Sequence, residues 1–96
     1  MFWSKVYKVK DQIVVAICDE ELIEKTLDFE DTKFHISRKF YGGKIINEDE
    51  ALNLLENSNI GNLVGERIVS LAIKKKYIAE ENIIIISGVP HAQYIQ

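Results

Sequence analysis

The feature that most constrains the fold of this chain is an unbroken apolar run, Ile13-Val14-Val15-Ala16-Ile17. A strand with one wet face alternates apolar with polar residues, and this run does not, so it reads as a central strand covered on both faces. Before it, Trp3 to Val9 reads as a strand of its own, joined to Ile13–Cys18 through a tight turn at Lys10-Asp11-Gln12, so the two form a hairpin. A second run, Ile83-Ile84-Ile85-Ile86, reads as another buried strand that delivers Gly88-Val89-Pro90-His91-Ala92-Gln93 to one edge of the core.

Between these runs the pattern changes. Asp19 stands where an N-cap would be, with Glu20 and Glu21 in a first turn, so a short helix through Lys25 is expected. Lys33 to Ser37 alternates, with Phe34 and Ile36 on one face, and reads as a half-exposed strand. Gly42 and Gly43 break the pattern after Tyr41 and imply a turn with positive φ or a close backbone approach. Ile45-Ile46 reads as a brief strand before a marked helix start. There Asn47 and Glu50 have the spacing of a reciprocal capping box, and Ala51, Leu52 and Leu55 face inward. A second helix is expected over 59–77, with Ile60, Val64, Ile68, Leu71 and Ala72 on one stripe and Gly61 and Gly65 bordering it. Tyr94-Ile95 suggests a short final strand. The order of elements implies an α+β two-layer sandwich. Its sheet is mainly antiparallel with about four to five strands, and two main helices, 47–57 and 59–77, lie on one face.

The chain has 96 residues and reads as a single compact domain, 1–96. No segment reaches the roughly 18 apolar residues that a membrane span needs. The opening residues Met1-Phe2-Trp3-Ser4-Lys5 carry no signal-peptide pattern, so a cytoplasmic protein without a membrane partner is expected. One cysteine and two histidines are too few for a structural zinc site, so neither a metal nor another cofactor is expected. The net charge of −3 argues against gripping nucleic acid by bulk electrostatics and leaves room for a local basic patch. The Ile-, Lys- and Glu-rich usage is the kind that hyperthermophiles favour.

Several residues are candidates for chemistry. His91 follows the only proline, which fixes the direction of a titratable imidazole. Asn62 and Glu66 would share a helix face, and Arg67, beside the apolar stripe, must snorkel or pair with a carboxylate from the sheet. A guanidinium flanked by close-approach glycines suits a phosphate or carboxylate. Cys18 sits among Asp19, Glu20 and Glu21, which oppose a thiolate, so it reads as a buried structural thiol. His35 reads as ordinary surface. Two basic clusters adjoin aromatic residues, Arg38-Lys39-Phe40-Tyr41 and Lys74-Lys75-Lys76-Tyr77, a composition in which cations meet phosphates and rings stack on bases.

Four blocks, Cys18-Asp19-Glu20-Glu21-Leu22-Ile23, Phe40-Tyr41-Gly42-Gly43, Asn62-Leu63-Val64-Gly65-Glu66-Arg67 and Gly88-Val89-Pro90-His91-Ala92-Gln93, resemble the signature of a small archaeal family numbered 424 among the domains of unknown function. The likeness covers nearly the whole chain. It implies an archaeal cytoplasmic protein without an established activity, associated with RNA binding or translation. One departure stands out: the resemblance implies a small residue, glycine, where this chain has Glu24.

Two main readings follow. The first is a small binding module in RNA metabolism or translation, whose partner is RNA or a ribosome-associated protein. Arg38, Lys39, Tyr41, Lys74, Lys75 and Lys76 would make the contacts. The second is a small-ligand protein or enzyme with a site around His91, Arg67, Glu66, Asn62, Gly42 and Gly43. A third, structural reading has Trp3, Tyr94 and Ile95 exposed to dock a partner or a second copy.

Overall fold

In the computed structural model, which describes residues 1–96, the expected hairpin forms from β1 (Phe2–Val9) and β2 (Gln12–Asp19), in register from Phe2 opposite Asp19 to Val9 opposite Gln12. After a 3₁₀ turn at Glu20–Leu22 come β3 (Thr26–Phe29) and β4 (Thr32–His35), then α1 (Arg38–Tyr41), β5 (Lys44–Ile46) and α2 (Glu48–Glu56). The chain closes with β6 (Ile60–Val64), α3 (Glu66–Lys74), a second 3₁₀ turn at Glu80–Asn82, β7 (Ile84–Ile86) and β8 (Val89–Ile95).

The main sheet has six strands in the order β5-β1-β2-β6-β8-β7, and β3-β4 form a separate two-stranded sheet. The main sheet is mixed: β2 and β6 run parallel while its other pairs run antiparallel. The sheet is therefore larger than the four to five mainly antiparallel strands expected. The added strand is β6, in the segment expected as the first half of a helix over 59–77. Its neighbours explain the difference. Gly61 lies under the Tyr94 ring, where a Cβ would come within 2.1 Å of a ring carbon, and Gly65 has φ +122 and cannot be helical. The four-residue spacing of Ile60, Val64 and Ile68 thus crosses a junction. Ile60 and Val64 belong to a strand and Ile68 to the helix that follows.

The helix expected over 19–25 is only the 3₁₀ turn, because the Asp19 side chain makes no bond to that turn. The strand expected over 33–37 ends at His35, and Ser37 instead caps α1 by accepting from the Phe40 amide. Neither Gly42 nor Gly43 has a positive φ; both are close approaches, a Cβ on Gly42 meeting the Arg38 carbonyl at 2.6 Å and one on Gly43 the Ser4 carbonyl at 2.7 Å. β7 is an edge strand of three residues, so Ile84 and Ile85 are exposed and only Ile86 is buried, contrary to the buried run expected. The capping box of α2 forms in full: the Asn47 side chain accepts from the Glu50 amide and the Glu50 carboxylate accepts from the Asn47 amide.

Both faces of β2 are covered, as its apolar run requires. On one face Val15, Ile17, Leu63 and Ala92 pack with Ala51 and Leu55 of α2 and Ile68, Val69, Leu71 and Ala72 of α3. On the other, Ala16, Cys18 and Val64 are roofed by Ile36 and Tyr41, with Phe34 and Leu27 of the small hairpin packed alongside. The second face is covered at one end only, and that determines where a surface site can lie. No helix is long and apolar enough to cross a membrane.

Candidate functional site

Two regions carry most of the candidate residues: one end of the sheet, where Arg67 and Glu66 lie on the α3 face and His91 on the other, and the open part of the His91 face. The first is the end at which β2, β6 and β8 meet. Cys18 pairs with Val64, Val64 with His91, and the Gly65 amide donates to the Pro90 carbonyl at 2.9 Å. Asp19, only 2% exposed, turns its carboxylate onto the start of α3, accepting from the Arg67 amide at 2.9 Å and the Ile68 amide at 3.0 Å. Those are orphan donors of a helix N-terminus, the place where an external anion could otherwise bind. The chain fills that place with its own carboxylate.

Arg67 is committed in the same way. Its guanidinium donates to the Glu21 carboxylate at 2.6 Å and to the Met1 carbonyl at 3.1 Å, and lies 5.0 Å from the centre of the Phe2 ring. The sheet carboxylate it was expected to need is supplied by Asp19, 3.8 Å from Nε. Arg67 therefore clamps α3 to the first strand.

Glu66 borders two clefts. One, of about 540 Å³, it shares with Met1, Phe2 and Arg67; the other, of about 150 Å³, with Asp19, Glu21 and Pro90. His91 lines neither. Its place opposite Val64 puts it on the face away from α3, half-buried against Phe34 with ring centres 5.2 Å apart, and this burial lowers its pKa. Asn62 shares the His91 face, and Gly42 and Gly43 lie between α1 and β5. The common pocket for His91, Arg67 and Glu66 does not form. No group of three or more His, Cys, Asp or Glu side chains is arranged to hold a metal ion.

The second region is the part of the His91 face left open beyond the small hairpin. Register aligns Tyr7, Val14, Ile60 and Ile95 across four strands, and beside them Lys5, Asn62 and Gln93, with Ala16 between Lys5 and Asn62 covered by Ile36 and Tyr41. None of these side chains is acidic. Along one border runs α1. Phe40 stacks on Tyr7 at 5.5 Å, the Tyr7 hydroxyl donates to the Phe40 carbonyl at 2.7 Å, and Lys5 donates to the Lys39 carbonyl at 2.8 Å. Arg38 lies 5.0 Å over Trp3, and Lys5 lies 5.6 Å over Tyr7. The last carbonyls of this one-turn helix are thus satisfied by side chains of β1, which gather rings and cations into one patch.

The expected basic clusters separate. Arg38 and Lys39 flank this patch, whereas Lys74, Lys75 and Lys76 end α3 on the other layer. Tyr41 is buried under the patch and its hydroxyl pKa is raised by that burial; the exposed ring is Phe40. Tyr94, expected at the surface, is buried and hydrogen-bonded to Ser58, and Trp3 is half-buried beneath Arg38. The residues that sequence reading missed are Lys5, Tyr7 and Gln93. The alternation Trp3, Lys5, Tyr7 within β1 was the available signal, since it puts all three on one face.

A family model described as a protein of unknown function, DUF424, matches residues 7–96. The chain belongs to the DUF424 family. Among solved structures, this DUF424 chain is similar to an uncharacterized conserved protein from Methanopyrus kandleri, with a TM-score of 0.80 and 30% sequence identity over 98% of this chain and 90% of that one. No curated protein matches it. Three of the four blocks that carry the resemblance meet at the strand-end junction of Asp19, Gly65, Arg67 and Pro90, where their hydrogen bonds join β2, β6, α3 and β8. The fourth forms the end of α1, beside the aromatic patch.

Proposed function

We propose that this DUF424 protein is a small RNA-binding module acting in RNA metabolism or translation, and that it binds through the open part of the sheet beside α1. The observation that carries this reading is the stacked Tyr7–Phe40 pair with Lys5, Lys39 and Arg38 around it, on a part of the sheet without carboxylates. Rings supply stacking surface for bases and the cations supply phosphate contacts. The acidic residues of α2, Glu48, Asp49, Glu50 and Glu56, belong to the opposite layer, so a net charge of −3 is compatible with a basic patch here.

Salt-dependent binding of labelled RNA to wild type, Phe40→Ala, Lys39→Glu and the Lys74/Lys75/Lys76→Glu triple variant tests the reading. Phe40→Ala weakens binding on the order of 10-fold, from a stacked base worth ~1–3 kcal/mol. Lys39→Glu weakens binding and flattens its salt dependence. The triple variant, altered on the other layer, changes it far less than Lys39→Glu does. Equal affinity across all four proteins overturns the assignment of the surface.

A further inference from the structure

We infer that the open sheet takes a single-stranded RNA segment, with unpaired bases lying over β1, β2, β6 and β8 and the amides of Asn62 and Gln93 facing base edges. The inference rests on the RNA-binding reading above and specifies its ligand.

The argument begins with hydrogen bonding. The side chains of Asn47, Asn57, Asn59 and Gln96 are all engaged within the fold, at a cap, a helix end, the β2 start and the α2 exit. Those of Asn62 and Gln93 are not, nor are those of the exposed Gln12 and Asn82; Asn62 and Gln93 differ in standing opposite each other on neighbouring strands in mid-sheet. An amide presents both a donor and an acceptor, which is what the edge of an unpaired base requires.

Next comes the shape of the surface. The row of Tyr7, Val14, Ile60 and Ile95 spans four strands and is apolar, with Ile95 77% exposed. At about 4.8 Å per strand that row is roughly 14 Å long, room for the two or three bases that a four-stranded RNA-binding sheet stacks. Beside it Asn62 and Gln93 stand on β6 and β8, separated from Lys5 by Ala16, which is fully buried beneath Ile36 and Tyr41. A duplex hides its base faces in the stack and offers phosphates and ribose hydroxyls to a partner, for which an apolar row has no use. Unpaired bases offer π-faces to such a row and edges to the amides beside it.

Charge selects the occupant further. The cations Lys5, Arg38 and Lys39 stand at the β1 side, and the one carboxylate bound to this border, Glu24, accepts from the Arg38 amide, pairs with His35 and lies 4.0 Å from Nε of Arg38, so Lys39 and Lys5 carry the charge that Glu24 does not offset. A phosphate backbone therefore has one favoured track, along α1, with bases directed over the sheet.

Fluorescence anisotropy decides the matter, with labelled decamers of oligo(A), oligo(U) and oligo(C) and a labelled duplex, at low and moderate salt. The proteins are wild type, Gln93→Ala and Asn62→Ala, each checked for folding by circular dichroism; Gln93 is exposed, so at least that variant retains the fold. The expected result is single strands bound on the order of 10-fold tighter than duplex. Both variants should narrow the preference among the three decamers and leave the salt slope unchanged. Duplex bound as tightly as single strands, or a base preference unmoved by both variants, overturns the inference and leaves the RNA-binding reading standing. Failure of every RNA probe to bind at low salt overturns the reading itself and shifts the patch to a protein partner.

Discussion

A Cβ placed on Gly65 would lie 2.3 Å from Cγ of Asp19, so the two residues are fitted to each other across the junction of β2 and β6. Gly65 has φ +122 and ψ 149, a region essentially closed to residues with a side chain. Gly65→Ala therefore combines backbone strain with displacement of the carboxylate that caps α3. The expected loss is on the order of 3 kcal/mol in a urea denaturation series. A loss below about 1 kcal/mol would show that the junction relaxes around a methyl group.

Asp19→Ala leaves two amides of α3 without their acceptor, and one of them, that of Ile68, is buried. The expected cost is about 1–3 kcal/mol. The pH dependence follows from burial, which raises the Asp19 carboxyl above its ordinary 3.8 against the opposing pull of the two amides and Arg67. The folded state then holds this proton more tightly than the unfolded chain. Stability from Asp19 is greatest below pH 3.8 and falls as pH climbs through the raised value. The advantage of wild type over Asp19→Asn, measured by denaturation across that window, should shrink with rising pH. An advantage that grows with pH contradicts it.

Cys18 is fully buried, and desolvation, followed by the charges of Asp19 and Glu21, pushes its thiol up to about 12. Since the thiolate is the reactive form, iodoacetamide at pH 8 should leave the native protein unmodified over the time in which urea-unfolded protein reacts fully. Mass spectrometry reads the result. Stoichiometric labelling of the native protein at the unfolded rate would place the thiol at the surface.

Burial against Phe34 lowers the pKa of His91 below the ordinary 6.5. A depressed histidine favours the neutral ring in the folded state. Its contribution is intact above pH 6.5 and is lost as pH falls through the folded value. NMR titration of the imidazole should give a midpoint below 6.5, and His91→Gln should reduce the loss of stability between neutral and mildly acidic pH. A midpoint at or above 6.5 would mean the ring is solvated or charge-paired.

What was legible in the sequence was local. The hairpin of β1 and β2 and the capping box at Asn47 and Glu50 depend on neighbours a few residues apart, and both form as read. The β6 strand depends on a parallel pairing of Val14–Cys18 with Ile60–Val64, across more than forty residues, and nothing within 60–64 announces it. The reason for its glycine at position 61 is not local, because the ring that needs the space, Tyr94, is supplied by another strand. The candidate site divided for the same reason. Arg67 and His91 are brought to one strand end but to opposite faces, and which face each takes is decided by pairing to Val64 and by the single turn at Gly65.

Glu24 is where the family resemblance implied glycine, and its φ is +69. Its amide donates to the Ile36 carbonyl at 2.7 Å, which fixes that left-handed conformation at the entry to β3. The side chain offsets the strain by accepting from the Arg38 amide at 2.9 Å, the start of α1, and by pairing with His35 at 3.0 Å. Both contacts, the Arg38 amide first, hold its carboxyl below the ordinary range. Glu24→Ala and Glu24→Gly lose these contacts alike, but only glycine adopts the conformation freely. Thermal denaturation at pH 7 should therefore rank Glu24→Gly above Glu24→Ala. A carboxyl with a lowered folded-state pKa contributes stability above its ordinary value of 4.5 and loses it as pH falls through the folded value, so any advantage of wild type over Glu24→Gly should narrow in acid. Glu24→Ala matching or exceeding Glu24→Gly would mean that this turn relaxes out of the left-handed region once the carboxylate is gone.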